Sequence, residues 1–335
     1  MISAEDRTRE GPMPTTAHPF PPLPDPDWVP TRDTLHRFTQ VVGKVRLAAS
    51  HRRNHWWNVP FHLTGRGLTT RPMGLEPIFA IDFDFLDHRL DISTDAGPRY
   101  GFPLAGHSVA SFYAELRRGL DAVGVDAEPA IARPFDLPDA DRPFSEDTEH
   151  ADYDPEAVTA YWRVLSRVNL LLEEYARGWS GKTSPVHHFW HTFDIAVTRF
   201  SDRVVDQPAS ADPVTREAYS REVISSGFWF GDDDFPEPAF YSYTAPEPPG
   251  LGDEPLEPAA AVWGERGGSR LAVLRYADAA TSDDPRATAL EFFNSTFEQG
   301  ASKAGWDLTP HLCVDGATDP LATSTTPQAG APLRR

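Results

Sequence analysis

The sequence contains a single cysteine, Cys313, among its 335 residues. A lone cysteine cannot form a disulfide within the chain, and it cannot supply the thiolates of a cysteine-based zinc site. The sequence also lacks an apolar run of the roughly 18 residues that a membrane-spanning helix needs. Its first residues do not show the basic-then-apolar order of a secretory signal. These absences predict a cytoplasmic protein without disulfides.

Positive charge is scarce. The 31 Lys and Arg residues face 50 Asp and Glu residues, which gives a formal net charge of −19. Nucleic acids and anionic membrane surfaces are bound through basic residues that neutralise phosphate charge. The charge balance therefore argues against both partners and favours a small molecule. No cofactor and no oligomeric state follow from the sequence.

Several well-known catalytic motifs are missing. The chain has no glycine-rich phosphate loop, no Gly-x-Ser-x-Gly turn around a nucleophilic serine, and no His-Glu-x-x-His helix. Any chemistry must therefore come from residues that the fold brings together, and the order of helices and strands becomes the next question.

Four helices are indicated by capping residues and apolar stripes. Asp154 and Asp284 each precede a proline, the pattern of a helix N-cap followed by the first helical position. Gly124, Gly178 and Gly305 are placed to end helices. The predicted helices follow Thr31, Ser108, Asp154 and Asp284, and the first of them runs to about Ala49.

Alternating apolar and polar residues predict the strands between these helices. The alternation is clearest in Phe79, Ile81, Phe83 and Phe85, and Gly267-Gly268 is typical of a hairpin turn. The predicted strands cover residues 55–64, 79–85, 89–93, 187–197, 240–244, 260–263 and 270–276.

The element order predicts an α+β protein made of two similar helix–antiparallel sheet–helix halves, which suggests an internal duplication. Aligning the halves places His55-Trp56-Trp57 on His187-His188-Phe189, and Arg89-Leu90 on Arg270-Leu271. We expect the halves to cover residues 28–150 and 151–308. The second half carries an insertion at about 201–250, with a helix from Thr215 to about Ser225. The proline-rich and polar composition of residues 1–27 and 309–335 predicts a disordered arm and a disordered tail.

Several stretches resemble a bacterial family catalogued as domain of unknown function 5996. They include Asn54-His55-Trp56-Trp57-Asn58-Val59-Pro60, Ile81-Asp82-Phe83-Asp84-Phe85 and Ser184-Pro185-Val186-His187. The resemblance spans about Trp28 to Trp306 and implies no assigned activity. Two positions depart from the family pattern: His191 stands where a small residue is usual, and Arg221 where a histidine is usual.

The matched positions of His55 and His187 suggest two candidate catalytic residues. If both rings open into one cleft between the halves, a histidine there can transfer protons, and an arginine can bind an anionic substrate. We therefore expect His55 to approach Arg199, and His187 to approach Arg66. A plain structural role is the alternative, with the arginines paired to Asp82, Asp84 or Asp194. The candidate substrate-binding residues are Trp56, Trp57, Arg66, Trp190, Asp194, Arg199, Glu222 and Trp229.

A metal site is a weaker interpretation. On a continuous strand His187 and His191 would share a face, and with Glu222 or Glu217 they would form a set of two imidazoles and a carboxylate. Because the family pattern lacks His191, we expect no metal. The function remains open between an enzyme that acts on a small molecule, including an anionic one, and a non-catalytic small-molecule-binding or scaffold protein. A closed apolar contact between the halves would favour the scaffold.

Overall fold

The computed structural model of the chain describes residues 20–313 and 316–319. The predicted arm and tail therefore lie largely outside the described residues. The described ends are packed: Phe20 is buried against Phe240 and Tyr276, and Leu312 pairs with Trp179. No helix within the described residues combines the length and the apolar character needed to cross a bilayer.

The helices confirm the capping signals in the sequence. Asp154 and Asp284 cap the third and the last helix by accepting hydrogen bonds from backbone N–H groups, and Ser108 does the same for the second. The helices are α1 (Val29–Ala49), α2 (Val109–Ala122), α3 (Pro155–Ala176), α4 (Pro213–Ala218), α5 (Tyr276–Ala280) and α6 (Pro285–Lys303).

The strands form two antiparallel sheets, as the α+β prediction requires. The first sheet has the order β1-β2-β3-β4-β5 and the second β6-β7-β8-β9-β11-β10. The strands are β1 (His62–Leu63), β2 (Gly67–Thr69), β3 (Phe79–Asp84), β4 (Arg89–Thr94), β5 (Arg99–Pro103), β6 (His187–Phe189), β7 (Asp194–Val204), β8 (Arg221–Trp229), β9 (Ala239–Ala245), β10 (Val262–Arg266) and β11 (Ser269–Arg275).

The strand prediction for residues 55–64 is wrong over most of its length. Residues Asn54–Trp56 form a 3-10 turn in which His55 and Trp56 have positive φ angles of 54° and 58°. Such angles are incompatible with an extended strand, and they are uncommon for residues with a β-carbon. Only His62 and Leu63 of this stretch belong to a strand.

The prediction of one strand over residues 187–197 is also wrong. The chain turns after Phe189, where Phe193 has a φ angle of 58°, and returns as β7. The helix expected from Thr215 ends at Ala218, and Arg221–Trp229 is a strand. Strands β8 and β9 lie inside segment 201–250, so the segment treated as an insertion supplies central strands of the second sheet.

The two sheets meet through the short strands β1 and β6. Phe61 and His188 exchange backbone hydrogen bonds of 2.9 and 3.0 Å, so the sheets join edge to edge. The residues that face β6 are therefore Phe61 and His62, and the alignment of His55 with His187 is wrong. The alignment of Arg89 with Arg270 is also wrong, because Arg89 lies in the fourth strand of its sheet and Arg270 in the fifth. The duplication itself stays a prediction, which the shared order of the first four strands favours.

The long helices cover one face of the joined sheets. Phe38 of α1 stacks on Phe112 of α2, at 4.0 Å between ring centroids, above the first sheet. Tyr175 of α3 packs on Phe293 of α6, at 5.4 Å, above the second. One hydrophobic core runs through both halves and includes Phe61, Phe83, Tyr161 and Phe228. The candidate site lies at the opposite face of the joint.

Candidate functional site

The two neighbouring histidines of β6 point to opposite faces of the sheet. His188 is completely buried, and its Nε2 lies 2.7 Å from the hydroxyl of Tyr161 in α3, so it faces the helices. Because successive strand residues alternate in direction, His187 points to the other face. There its ring lies 5.0 Å from the ring of His62, the equivalent residue of the facing strand β1.

His187 is buried without a hydrogen-bond partner. Its side chain is 1% exposed, and neither Nδ1 nor Nε2 has a partner among the described residues. An unsatisfied polar group of this kind costs roughly 1–3 kcal/mol. Burial is the main cause that lowers the pKa of His187 to about 3 and that of His62 to about 2, so both rings are neutral at pH 7.

Three arginines lie close enough to this histidine pair for their charges to act on it. The positive charges of Arg46, Arg53 and Arg71 all contribute to the lowered pKa values of His62 and His187. The Arg46 side chain is buried, and its Nε donates to the backbone oxygen of Val59 at 3.1 Å. Arg53 and Arg71 are exposed. The positive charges therefore extend from the surface to the buried ring of His187.

No carboxylate neutralises these arginines in the part of the chain that the structure describes. Arg46, Arg53 and Arg71 make no ion pair there, whereas neighbouring Arg52 pairs with Glu217 at 3.2 Å. Burial and the charge of Arg71 lower the pKa of Arg46 to about 10. We call Arg46, Arg53, His62, Arg71 and His187 the basic cluster. It is a concentration of positive charge in a chain whose net charge is −19.

His55 lies beside the basic cluster. It belongs to the first half of the chain but contacts residues of the second. Its backbone N–H donates to Oε1 of Glu217 at 2.9 Å, and its ring packs on Phe200 at 4.5 Å. The ring of Trp57 links the two candidate histidines, with its centroid 5.9 Å from that of His55 and 6.4 Å from that of His187. The structure therefore brings His55, His187 and Trp57 together, as the sequence analysis expected, although through a turn.

The predicted partners of these histidines are wrong. Arg66 pairs with Asp84 and Asp87 at the β2–β3 end of the first sheet. Arg199 is buried on the helix face, where its guanidinium lies 3.7 Å from the centroid of the Tyr175 ring and donates to the Tyr175 backbone oxygen. His55 packs on Phe200, the next residue of β7, whose side chain points to the opposite face. Arg199 therefore cannot approach His55.

The predicted aromatic wall is dispersed. Trp190 is buried and donates from Nε1 to Val59 at 3.1 Å. The ring of Trp56 is covered by the guanidinium of Arg52 at 4.2 Å. Trp229 packs on Tyr241, whose hydroxyl donates to Asp194. Of the tryptophans predicted to bind substrate, Trp57 alone contacts the His55 and His187 rings.

The proposed metal ligands do not assemble. His191 lies in the turn after β6, so the strand spacing that would align it with His187 does not apply, and its ring packs near Phe135. Glu222 accepts hydrogen bonds from Ser201, Arg203 and the indole of Trp306. Glu217 binds His55 and Arg52.

A different group with metal-ligand geometry exists among the described residues. Potential ligand atoms of Asp139, Asp147 and His150 lie within 4.8 Å of one another. The guanidinium of Arg37 already pairs with the carboxylates of this group, because its Nε donates to Asp139 at 3.2 Å and lies 3.7 Å from Asp147. Arg142 adds a second positive charge near Asp147. The arrangement is that of a salt-bridge network closed by arginine.

Sequence reasoning missed Arg46, Arg53 and Arg71. Arg46 sits on the predicted first helix, and Arg53 precedes the motif around His55, but nothing in the spacing places either beside β6. The available signal was the family motif Asn54–Pro60, which Arg53 immediately precedes. In the structure this motif turns sharply and folds back on the second half.

Two surface depressions lie away from the basic cluster, one beside Ala48, Gly74 and Pro77, the other beside Pro21 and Leu170, and neither contains a candidate residue. No curated protein and no solved structure matches the chain. A family model described as a family of unknown function, DUF5996, matches residues 20–312. The chain, with its basic cluster at the joint of two sheets, therefore belongs to the DUF5996 family.

Proposed function

We propose that this protein binds a small anionic molecule at the basic cluster. The observation that carries the proposal is His187, a buried imidazole whose two ring nitrogens lack partners, beside three arginines that form no ion pair in the described part of the chain. An anion supplies what this arrangement lacks, namely negative charge for the guanidiniums and an acceptor for an imidazole N–H.

The electrostatics of the whole chain support this interpretation. A protein with a net charge of −19 repels anions over most of its surface, so a local concentration of arginine raises anion occupancy at one place. The guanidinium group binds carboxylates and phosphates through two parallel hydrogen bonds. Arg53 and Arg71 are exposed and can meet the ligand first, whereas Arg46, His62 and His187 can hold it at the sheet.

The contact between the halves favours binding over a catalytic cleft. The halves share hydrogen-bonded strands and one continuous core, the closed contact that the sequence analysis associates with a scaffold. The ligand position that fits this architecture lies on the outer face of the joint, under the segment that carries Trp57.

Thermal unfolding with phosphate, sulfate or chloride at matched ionic strength tests the proposal. A ligand at 100 times its Kd stabilises the native state by about 2.7 kcal/mol. We expect phosphate or sulfate to raise the Tm of the wild-type protein, and Arg53→Gln and Arg71→Gln each to reduce that rise.

Arg99→Gln is the matched control, because Arg99 is also exposed and without an ion pair among the described residues but lies on the edge strand β5. If phosphate or sulfate raised the Tm of all three variants as much as that of the wild type, a site at the basic cluster would be contradicted. A selective loss in the two cluster variants supports it.

A further inference from the structure

Lysine is rare in this chain. Three of the 31 basic residues are lysines, namely Lys44, Lys182 and Lys303. Lys303 pairs with Glu254 at 2.6 Å, and Lys44 is buried near the rings of Phe135 and Trp190. Lys182 has a different partner: its Nζ lies 2.6 Å from Nε2 of His55.

The contacts of His55 fix which ring nitrogen carries the proton. Nδ1 lies 3.1 Å from the backbone oxygen of Glu217 and 3.2 Å from that of Ala218. A carbonyl oxygen only accepts hydrogen bonds, so Nδ1 must donate. In the neutral ring Nε2 then carries the lone pair, and this lone pair points at the amine of Lys182. His55 is therefore oriented as a proton acceptor for Lys182.

The surroundings of Lys182 shift its amine toward the neutral form. Burial, and next the positive charge of Arg221, lower the pKa of Lys182, while Glu217 acts in the opposite direction. The Nζ atom lies 5.3 Å from the ring centroid of Trp57 and 5.0 Å from that of Phe200. A lysine that is partly desolvated and close to another cation is the usual form of a nucleophilic amine.

Trp57 connects this amine to the basic cluster. Its indole contacts Lys182 on one hand and the ring of His187 on the other. The indole therefore borders both the amine and the histidine side of the basic cluster.

We propose that Lys182 is a nucleophile that forms an imine with a carbonyl compound that carries an anionic group. The inference rests on the proposed anion site, which binds the anionic group. His55 accepts a proton from the Lys182 ammonium through Nε2. The freed amine attacks the carbonyl carbon, so that a C–N bond forms as the C=O π bond breaks. A proton of the attacking nitrogen then passes to the oxygen, which becomes a hydroxyl. Return of the proton from His55 lets this oxygen leave as water, and the C=N bond forms without an oxidant or a reductant.

Reductive trapping tests this proposal. The full-length protein is incubated with glyoxylate and cyanoborohydride, and the modified lysines are identified by peptide mass mapping. We expect one modified lysine, Lys182, and much slower modification of Lys303, whose ammonium pairs with Glu254. His55→Gln should slow trapping at Lys182 while circular dichroism and Tm verify that the variant is folded.

Propanal is the matched neutral probe, and Arg53→Gln and Arg71→Gln are the matched site variants. Preferential trapping of glyoxylate that these two variants abolish supports the complete proposal. If phosphate stabilises the protein through the basic cluster but Lys182 reacts no faster than Lys303, the imine proposal is wrong and the anion site stands. If Lys182 traps propanal and glyoxylate equally, the assignment to an anionic carbonyl compound is wrong.

Discussion

Phe61 and His188 exchange both of their backbone hydrogen bonds across the joint between the two sheets, at 2.9 and 3.0 Å. Through this bridge the edge of the first sheet is hydrogen-bonded to the edge of the second. The side chains of both residues are buried, and Phe61 stacks on His188 with 6.4 Å between ring centroids. The joint is therefore also part of the hydrophobic core.

The continuous core predicts a single unfolding transition. Because both halves contribute to one buried cluster, neither should lose its structure while the other persists. We expect fluorescence, near-UV and far-UV circular dichroism to report the same urea midpoint, and calorimetry to give one peak. Two resolved transitions would show that the halves are separate folding units.

The buried hydrogen bond between Tyr161 and His188 predicts a measurable loss of stability when the Tyr161 hydroxyl is removed. Both residues are inaccessible to solvent, and Nδ1 of His188 has no partner among the described residues. Tyr161→Phe leaves Nε2 unsatisfied as well, which should lower the free energy of unfolding by about 1–3 kcal/mol. Tyr113→Phe is the control, because the hydroxyl of Tyr113 has no hydrogen bond within the described residues. Equal urea midpoints for the two variants would contradict the prediction.

Gly43 in α1 predicts a steric effect opposite to helix propensity. Alanine favours a helix by about 1 kcal/mol over glycine, but a β-carbon at position 43 would overlap the indole ring of Trp190. We expect Gly43→Ala to destabilise the protein by about 1–3 kcal/mol, the usual cost of overpacking. Gly65→Ala, at a position with free space around it, should leave the Tm nearly unchanged. A stabilised Gly43→Ala variant would mean that Trp190 packs differently.

The buried histidines predict a loss of stability in mild acid. Burial lowers the pKa of His36, His187 and His188 to about 3, and that of His62 to about 2, from an unfolded value near 6.5. Below pH 6.5 the unfolded chain gains protons that the native chain excludes. Each histidine therefore lowers the free energy of unfolding by about 1.4 kcal/mol per pH unit until its native pKa is reached.

Urea titrations between pH 7.5 and 4.5 measure this slope. His36→Gln should reduce the number of protons taken up on unfolding by about one per molecule, and the slope with it, because one buried titrating ring is removed. Phosphate at saturating concentration should also reduce it, because a bound anion favours protonated His62 and His187. A flat profile over this interval would show that the rings are protonated in the native state.

The sequence predicted the helices better than the strands for a local reason. Asp154, Asp284 and Ser108 mark helix starts through hydrogen bonds to residues two or three positions away, which a sequence displays directly. The turns at His55 and Phe193 require positive φ angles from residues with a β-carbon. Such angles are imposed by packing between distant segments. The alternation of apolar and polar residues alone therefore predicted strands at these turns.

The candidate site was predictable in part for the same reason. His55, His187 and Trp57 stand in motifs that the sequence singles out, and the structure places them together. Arg46, Arg53 and Arg71 come to the joint from α1, from the segment after it and from the end of β2. Their approach to His187 depends on β1 lying beside β6, a long-range contact that no local spacing encodes.

The joint of β1 and β6 also reduces the number of open sheet edges. An exposed sheet edge offers unpaired N–H and C=O groups to another chain and promotes aggregation. Two separate sheets would have four such edges, whereas the joined sheet leaves two among the described residues, β5 and β10. Strand β5 ends in Pro103, and β10 ends in the charged pair Glu265 and Arg266. Residues of these types discourage a further strand. The bridge beside a two-residue strand in the middle of the molecule therefore leaves fewer edges that need such protection.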